Sequence, residues 1–193
     1  MSLNLANIFS QIVDRQSLAE AGATSVFIIK KRTQEGKFLP GSSAGSGSYS
    51  TKPFALPAGA VSSQAFNQLQ NTDEGDAFFT KAGKLWFVMK NGYKRLRELE
   101  GLQSSRVDLK RRPGPGMLAA LNVVKIDPNE QAVEVGFTDS ESEQIAIWHQ
   151  IMGAGKNKVK RIFVGHTDKE EKQIADATAK KIFANITRYN SAE

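Results

Sequence analysis

The chain of 193 residues contains no cysteine, which removes disulfide frameworks, thiolate metal sites and cysteine nucleophiles together and suits a reducing compartment. Histidine is almost as scarce, at His149 and His166 alone. Neither H-x-x-H nor H-E-x-x-H occurs, so no metal site is predicted and both rings read as structural or surface groups. No run approaches the ~18 apolar residues of a membrane span, and the opening MSLNLANIFSQIVDRQ is amphipathic where a secretory leader would be basic and then apolar. The expectation is a soluble protein made in the cytosol. No internal repeat is present.

What is there is ordinary in bulk: 40% hydrophobic and 24% charged residues, enough to bury a core. The length predicts one domain, with residues 33–80 as an extended arm or insertion within it. A charge of +6, from 26 basic and 20 acidic residues, is a mild excess that admits nucleic acid as a neighbour. Bases and acids interleave, as where Lys94, Arg95 and Arg97 meet Glu98 and Glu100. A dedicated DNA binder gathers its charge into a stripe.

Leu5, Ile8, Phe9, Ile12 and Val13 recur at helical spacing and predict a helix over 3–14. A second helix, with Ser17 as its cap, runs to about residue 32, although Val26 to Ile29 would also suit a strand. Residues 33–80 carry Pro40, Pro53, Pro57 and the tract GSSAGSGS, and read as a long loop that keeps Phe38, Tyr49 and Phe54. KLWFVMK predicts a strand closed by Asn91-Gly92, and YKRLRELEGL a short helix ended by Gly101. MLAALNVVKID and AVEVGF predict a β-hairpin, since Val133, Val135 and Phe137 alternate with Glu134 and Gly136. TDSESEQIAIWHQIMG predicts a helix capped at Thr138, Asp139 or Ser140 and ending near Gly153. The last helix has Thr167 and Glu170 at capping-box spacing and a stripe of Ile174, Thr178, Ile182, Ile186 and Tyr189, with Ala175, Ala179 and Phe183 beside it. This order predicts an α+β fold, a small antiparallel or mixed sheet packed with helices.

A search for chemistry leaves little. The acids of TDSESE and TDKEE sit in first turns, where capping explains them. GSSAGSGS lacks the Gly-Lys-Ser/Thr ending of a phosphate loop and the strand-to-helix setting of a dinucleotide fingerprint. No catalytic residue and no cofactor is predicted. Two basic groups remain as candidates for protein docking or phosphate contact: Arg106, Lys110, Arg111 and Arg112, and then Lys156, Lys158, Lys160 and Arg161. Trp148, at helical spacing from Ile145 and Met152, reads as core and not as a stacking platform.

Several stretches in order resemble the tail-completion, or virion-morphogenesis, proteins of tailed bacteriophages: IIKKRTQEGKFLPGSSAGSGSYSTKPF, NGYKRLRELEGLQSSRVDL, GMLAALNVVKID into AVEVGFTD, IAIWHQIMGAG and KRIFVGHTDKEEKQIADATAKKI. The likeness spans about residues 25 to 187. Tyr49-Ser50 matches the family's tyrosine-serine pair, and Trp148-His149-Gln150 its aromatic-histidine-glutamine step before a glycine loop. KRRPGPGM departs from it, because relatives carry a shorter Thr/Ser-Gly turn. The resemblance implies a structural virion protein that is not an enzyme. Such proteins form a homo-oligomeric ring, expected as a hexamer, at the head-proximal end of the tail, assembled in the host cytoplasm. Its implied partners are itself, the tail tube protein and the head-tail connector, with genomic DNA passing the lumen without sequence specificity and no membrane. A neck connector on the head side and a basic nucleic-acid-binding module are the alternatives.

A closed ring sets one patch of each subunit against a different patch of the next. On that basis residues 34–60 are expected to order on a neighbouring subunit, with Phe38, Tyr49 and Phe54 as inter-subunit anchors, and deletion of 41–52 to leave a folded monomer. A cationic lumen would hold phosphates, so the GAGKNKVKR loop is expected to dock on protein and the lumen to be neutral or acidic.

Overall fold

The computed structural model describes residues 13–44, 49–102, 104, 105, 107, 109, 116–153 and 158–190. The predicted helix over 3–14 lies almost entirely outside them, as do Arg106, Lys110, Arg111, Arg112 and Lys156. The fold is α+β, with a three-stranded antiparallel sheet, a separate two-stranded one, and helices. The chain divides into two compact units. The first takes Met1–Thr33, Lys37–Gly45 and Met117–Glu193, and the second Gln34–Gly36 and Ser46–Gly116.

The first unit is built on helix α1 (Arg15–Gln34). Its cap is Asp14 and not Ser17: the Asp14 carboxylate accepts from the Ser17 amide at 2.8 Å and from its hydroxyl at 2.7 Å. Helix wins over Val26–Ile29 because Leu18, Ala21, Val26 and Ile29 are all buried at helical spacing. Strands β4 (Leu121–Asp127) and β5 (Ala132–Phe137) form the expected hairpin. Val123 pairs with Val135 and Lys125 with Glu134, so Val124 is the extra residue of a bulge. The hairpin packs on α1 at Gly22, where a Cβ would stand 2.6 Å from a Val123 methyl and 2.7 Å from a Val133 methyl.

Helix α5 (Asp168–Asn190) closes this unit. Its capping box is formed in both directions: the Thr167 amide donates to Glu170 at 2.8 Å, and the Glu170 amide donates to the Thr167 hydroxyl at 3.4 Å. Asn185 donates to Ser17, Ser25 is bonded to His166, and Arg32 to Glu170. A low number on α1 thus meets a high one on α5, so the helices run antiparallel along a polar seam. That seam changes the expected stripe. Ile174, Thr178, Ile182 and Ile186 are only half-buried, Asn185 is the buried residue, and Phe183 is exposed.

The second unit holds much of what reads as loop. Residues 33–80 contain β1 (Phe54–Pro57), a 3-10 turn (Ala58–Ala60), α2 (Ser63–Gln70) capped by Ser62, and β2 (Gly75–Phe79). Both strands flank β3 (Leu85–Met89), the predicted strand, in the order β1-β3-β2. Helix α3 (Gly92–Leu99) follows, and Gly101 adopts φ 66° after it. The core is Leu56, Ala65, Leu69, Phe87, Met89, Leu96 and Leu99. Phe66 and Phe87 meet edge to face in it at 5.2 Å.

Candidate interaction surface

The residues that carry chemistry in the sequence fall into three places. The first is the arm. Tyr49 and Phe54 meet Tyr93 edge to face at 5.4 and 5.9 Å, and the guanidinium of the fully buried Arg97 lies over the Tyr49 ring at 4.3 Å. These anchors therefore have partners in their own chain. Phe38 is half-buried. Beyond it the chain is stitched to residues 160–162. Leu39 N–H donates to Ile162 O at 2.7 Å, Ser43 and Ala44 N–H to Lys160 O at 3.1 Å, and the amides of Lys160 and Ile162 to the Ser43 and Ser42 hydroxyls. The physical reason is that Gly41 and the serines give a segment able to follow another backbone and to bond it, while the aromatics fill space locally.

The second place is the histidines. Ser25 Oγ and His166 Nε2 are 2.9 Å apart. A serine-histidine contact is the first link of a nucleophilic device. Here the serine is 6% exposed in mid-helix, and its bond to His166 ties residues 165–167 to α1. His149 stands 3.4 Å from the Arg161 guanidinium through Nδ1, and its carbonyl accepts from the Arg161 amide at 2.7 Å. Burial first, and the Arg161 charge second, lower its pKa to about 4, so the ring is neutral at neutral pH. Among the described residues no group of three His, Cys, Asp or Glu could hold a metal. No described helix is long and apolar enough to cross a membrane.

The third place is the end of helix α4 (Ser140–Ile147), capped by Asp139, whose carboxylate accepts from the Ser142 amide at 2.7 Å. The helix does not run on to Gly153 as an α-helix; Trp148–Met152 form a π turn. The helix buries Ala146 and leaves Ile145 only half-buried, so Trp148, two residues past Ala146 and still in regular helical backbone, projects from the other side. Trp148 is 50% exposed, Ile151 64% and Met152 60%, with Ile147 beside them. Sequence reasoning placed this tryptophan inside, and the structure corrects it.

The side of the turn opposite this apolar face is tied down. Gln150 Oε1 accepts from the Phe163 and Val164 amides at 3.3 and 2.8 Å, while His149 engages Arg161. Residues 163–165 are fixed in turn by Arg32, which donates to the carbonyls of Phe163 and Gly165 and pairs with Glu170. Gly153, at φ 79°, closes the turn; a Cβ there would stand 2.0 Å from the Lys158 carbonyl oxygen. Lys158 and Lys160 are exposed, and Arg161 is half-buried. The arrangement holds four apolar side chains on a braced turn near basic residues, which fits the docking of a protein surface.

No family model matches the sequence, and no curated protein or solved structure matches the chain.

Proposed function

We propose that this protein is a structural assembly subunit which forms a ring at the head-proximal end of a phage tail, capping the tube and meeting the head connector. The observation that carries the reading is the face made by Ile147, Trp148, Ile151 and Met152. Trp148 belongs to the tryptophan-histidine-glutamine step, one of the several stretches that together resemble tail-completion proteins, and it is half exposed on a turn bonded from behind. Tryptophan is among the residues most enriched at the energetic centres of interfaces, and a preorganised backbone lowers the ordering cost of docking. The face takes the role that the sequence assigned to Tyr49 and Phe54, whose rings are engaged within the chain.

The test is sedimentation of the full chain over a concentration series, beside Trp148→Asp. The wild type should form a species of more than two subunits. The variant should lose it while keeping the far-ultraviolet circular dichroism of the wild type, because the side chain it alters is half in solvent. Assembly unaffected by the substitution would refute this use of the face. Binding to duplex DNA that falls steeply between low and moderate salt would favour the nucleic-acid-binding alternative.

A further inference from the structure

The three-stranded sheet of the second unit has two edges, and they are not alike. On the β2 side of β3, Lys90 N–H donates to Glu74 O at 3.0 Å and Thr80 N–H to Lys84 O at 2.9 Å. With the register Gly75↔Met89 to Phe79↔Leu85, residues 74, 76, 78 and 80 bond inward to β3. Gly75, Ala77 and Phe79 then direct their N–H and C=O groups outward, away from the sheet. By the same alternation β1, paired Phe54↔Met89 and Leu56↔Phe87, turns Pro53, Ala55 and Pro57 outward. Two of those three have no N–H, so proline closes the β1 edge to pairing. The β2 edge has no such guard. Asp76, the charge on it, is paired with Lys90 at 3.2 Å.

The side chains point the same way. Phe79 lies on the face that carries the buried Phe87 and Met89, yet it is 72% exposed. The core-facing side of the sheet thus runs past its own cover at this edge. Phe78, on the other face, is 40% exposed.

We propose that β2 is a strand-pairing site whose occupant is β2 of a second copy of this chain, joined antiparallel about a two-fold axis at Ala77. Ala77 then pairs with Ala77 of the partner subunit, and Phe79 lies opposite the partner subunit's Gly75, where the absent side chain leaves room for the ring. The outward groups of Gly75, Ala77 and Phe79 meet one another, two hydrogen bonds to a pair. Lys81 comes opposite the partner subunit's Asp73, a carboxylate that is almost fully exposed and already paired with Lys90 of its own chain at 2.8 Å, so this contact adds a second cation to it and is not what fixes the register. The neighbouring registers are worse. Moving the axis to Asp76 sets that carboxylate against its own copy, and moving it to Phe78 carries Gly75 past the end of the facing strand. This pairing does not depend on the ring or on the Trp148 face.

The absence of native cysteine makes a clean test. In a hydrogen-bonded antiparallel pair the Cα atoms are about 5.5 Å apart, inside the range a disulfide spans. Full-length Ala77→Cys should oxidise to a covalent dimer at least tenfold faster than Lys84→Cys, an exposed control in the same hairpin. Ala77→Pro, which removes the outward N–H at the axis and leaves the inward ladder intact, should weaken dimerisation tenfold or more by sedimentation. If Ala77→Pro fails to fold, the cysteine pair decides. Cross-linking of Ala77→Cys no faster than the control overturns the proposal, whether or not larger rings form through Trp148.

Discussion

Replacing Arg32 with methionine should destabilise the first unit by about 3 kcal/mol, although the side chain never reaches the surface that is proposed to work. Arg32 is 8% exposed and holds three acceptors: Glu170 and the carbonyls of Phe163 and Gly165. Breaking a buried pair by removing one partner costs about 3–5 kcal/mol, because a charge is left without its counterion in a poor solvent. Two features place this case at the low end. Glu170 keeps the Thr167 amide and hydroxyl as donors. Arg32 Nε is already buried without a hydrogen-bond partner, so its removal returns something. At a urea dependence of about 1.5 kcal/mol per molar the midpoint should fall by about 2 M. Far-ultraviolet circular dichroism follows it, since the two long helices, of 20 and 23 residues, are both in this unit. Adding Glu170→Gln removes the stranded carboxylate, so the double variant should be more stable than the sum of the singles predicts by about 1 kcal/mol or more. An Arg32→Met loss under about 1 kcal/mol, or strict additivity, would refute the clamp and with it the bracing of residues 163–165 behind Gln150.

Gly22→Ala sets two effects against each other: helix propensity favours alanine by about 1 kcal/mol, while overpacking against two valine methyls costs about 1–3. The contacts at 2.6 and 2.7 Å decide for a net loss, read as a lower melting temperature, and a gain in stability would refute that packing. His149 is neutral in the fold down to about pH 4 and titrates near 6.5 when unfolded. Between those values acid protonates only the unfolded chain, so stability falls with pH, by at most ~1.4 kcal/mol per unit and by about 1–2 in all, since the residue is only half-buried. His149→Gln should flatten the dependence of the urea midpoint between pH 7 and 4.5; an unchanged slope would place the titration elsewhere. The Glu170 carboxyl is shifted in the same direction, for a different reason. Burial alone would raise its pKa, but the Thr167 donors and Arg32 outweigh it and hold it below the ordinary value. Its contribution is therefore present above pH 4.5, lost as pH drops through the lowered value, and should vanish from the acid limb in Glu170→Gln.

Local pattern made some of this legible and not the rest. The hairpin of β4 and β5, the capping box of α5 and the stop at Gly101 each depend on residues within a few positions of one another. Strands β1 and β2 do not. FALP lies between prolines and GDAFF shows no clean alternation, and each is a strand because β3 lies between them, a long-range pairing that propensity cannot register. Trp148 was misplaced because its period was anchored on Ile145 and Met152, of which the first is half-buried and the second exposed, while the helix buries Ala146. Arg32 gave no signal at all, being one base among Lys30, Lys31 and Arg32 at a helix end, where solvated charge is the default. The expected effect of deleting 41–52 changes as well. Ser42 and Ser43 bond the amides of Ile162 and Lys160, and Tyr49 covers Arg97, so the deletion should lower stability before it touches assembly.

Negative-stain imaging of the purified full chain at high concentration tests the assembly reading most directly. Closed rings of uniform diameter, lost in Trp148→Asp, are the predicted result. A field of single subunits, or rings that form equally well without the tryptophan, would contradict it.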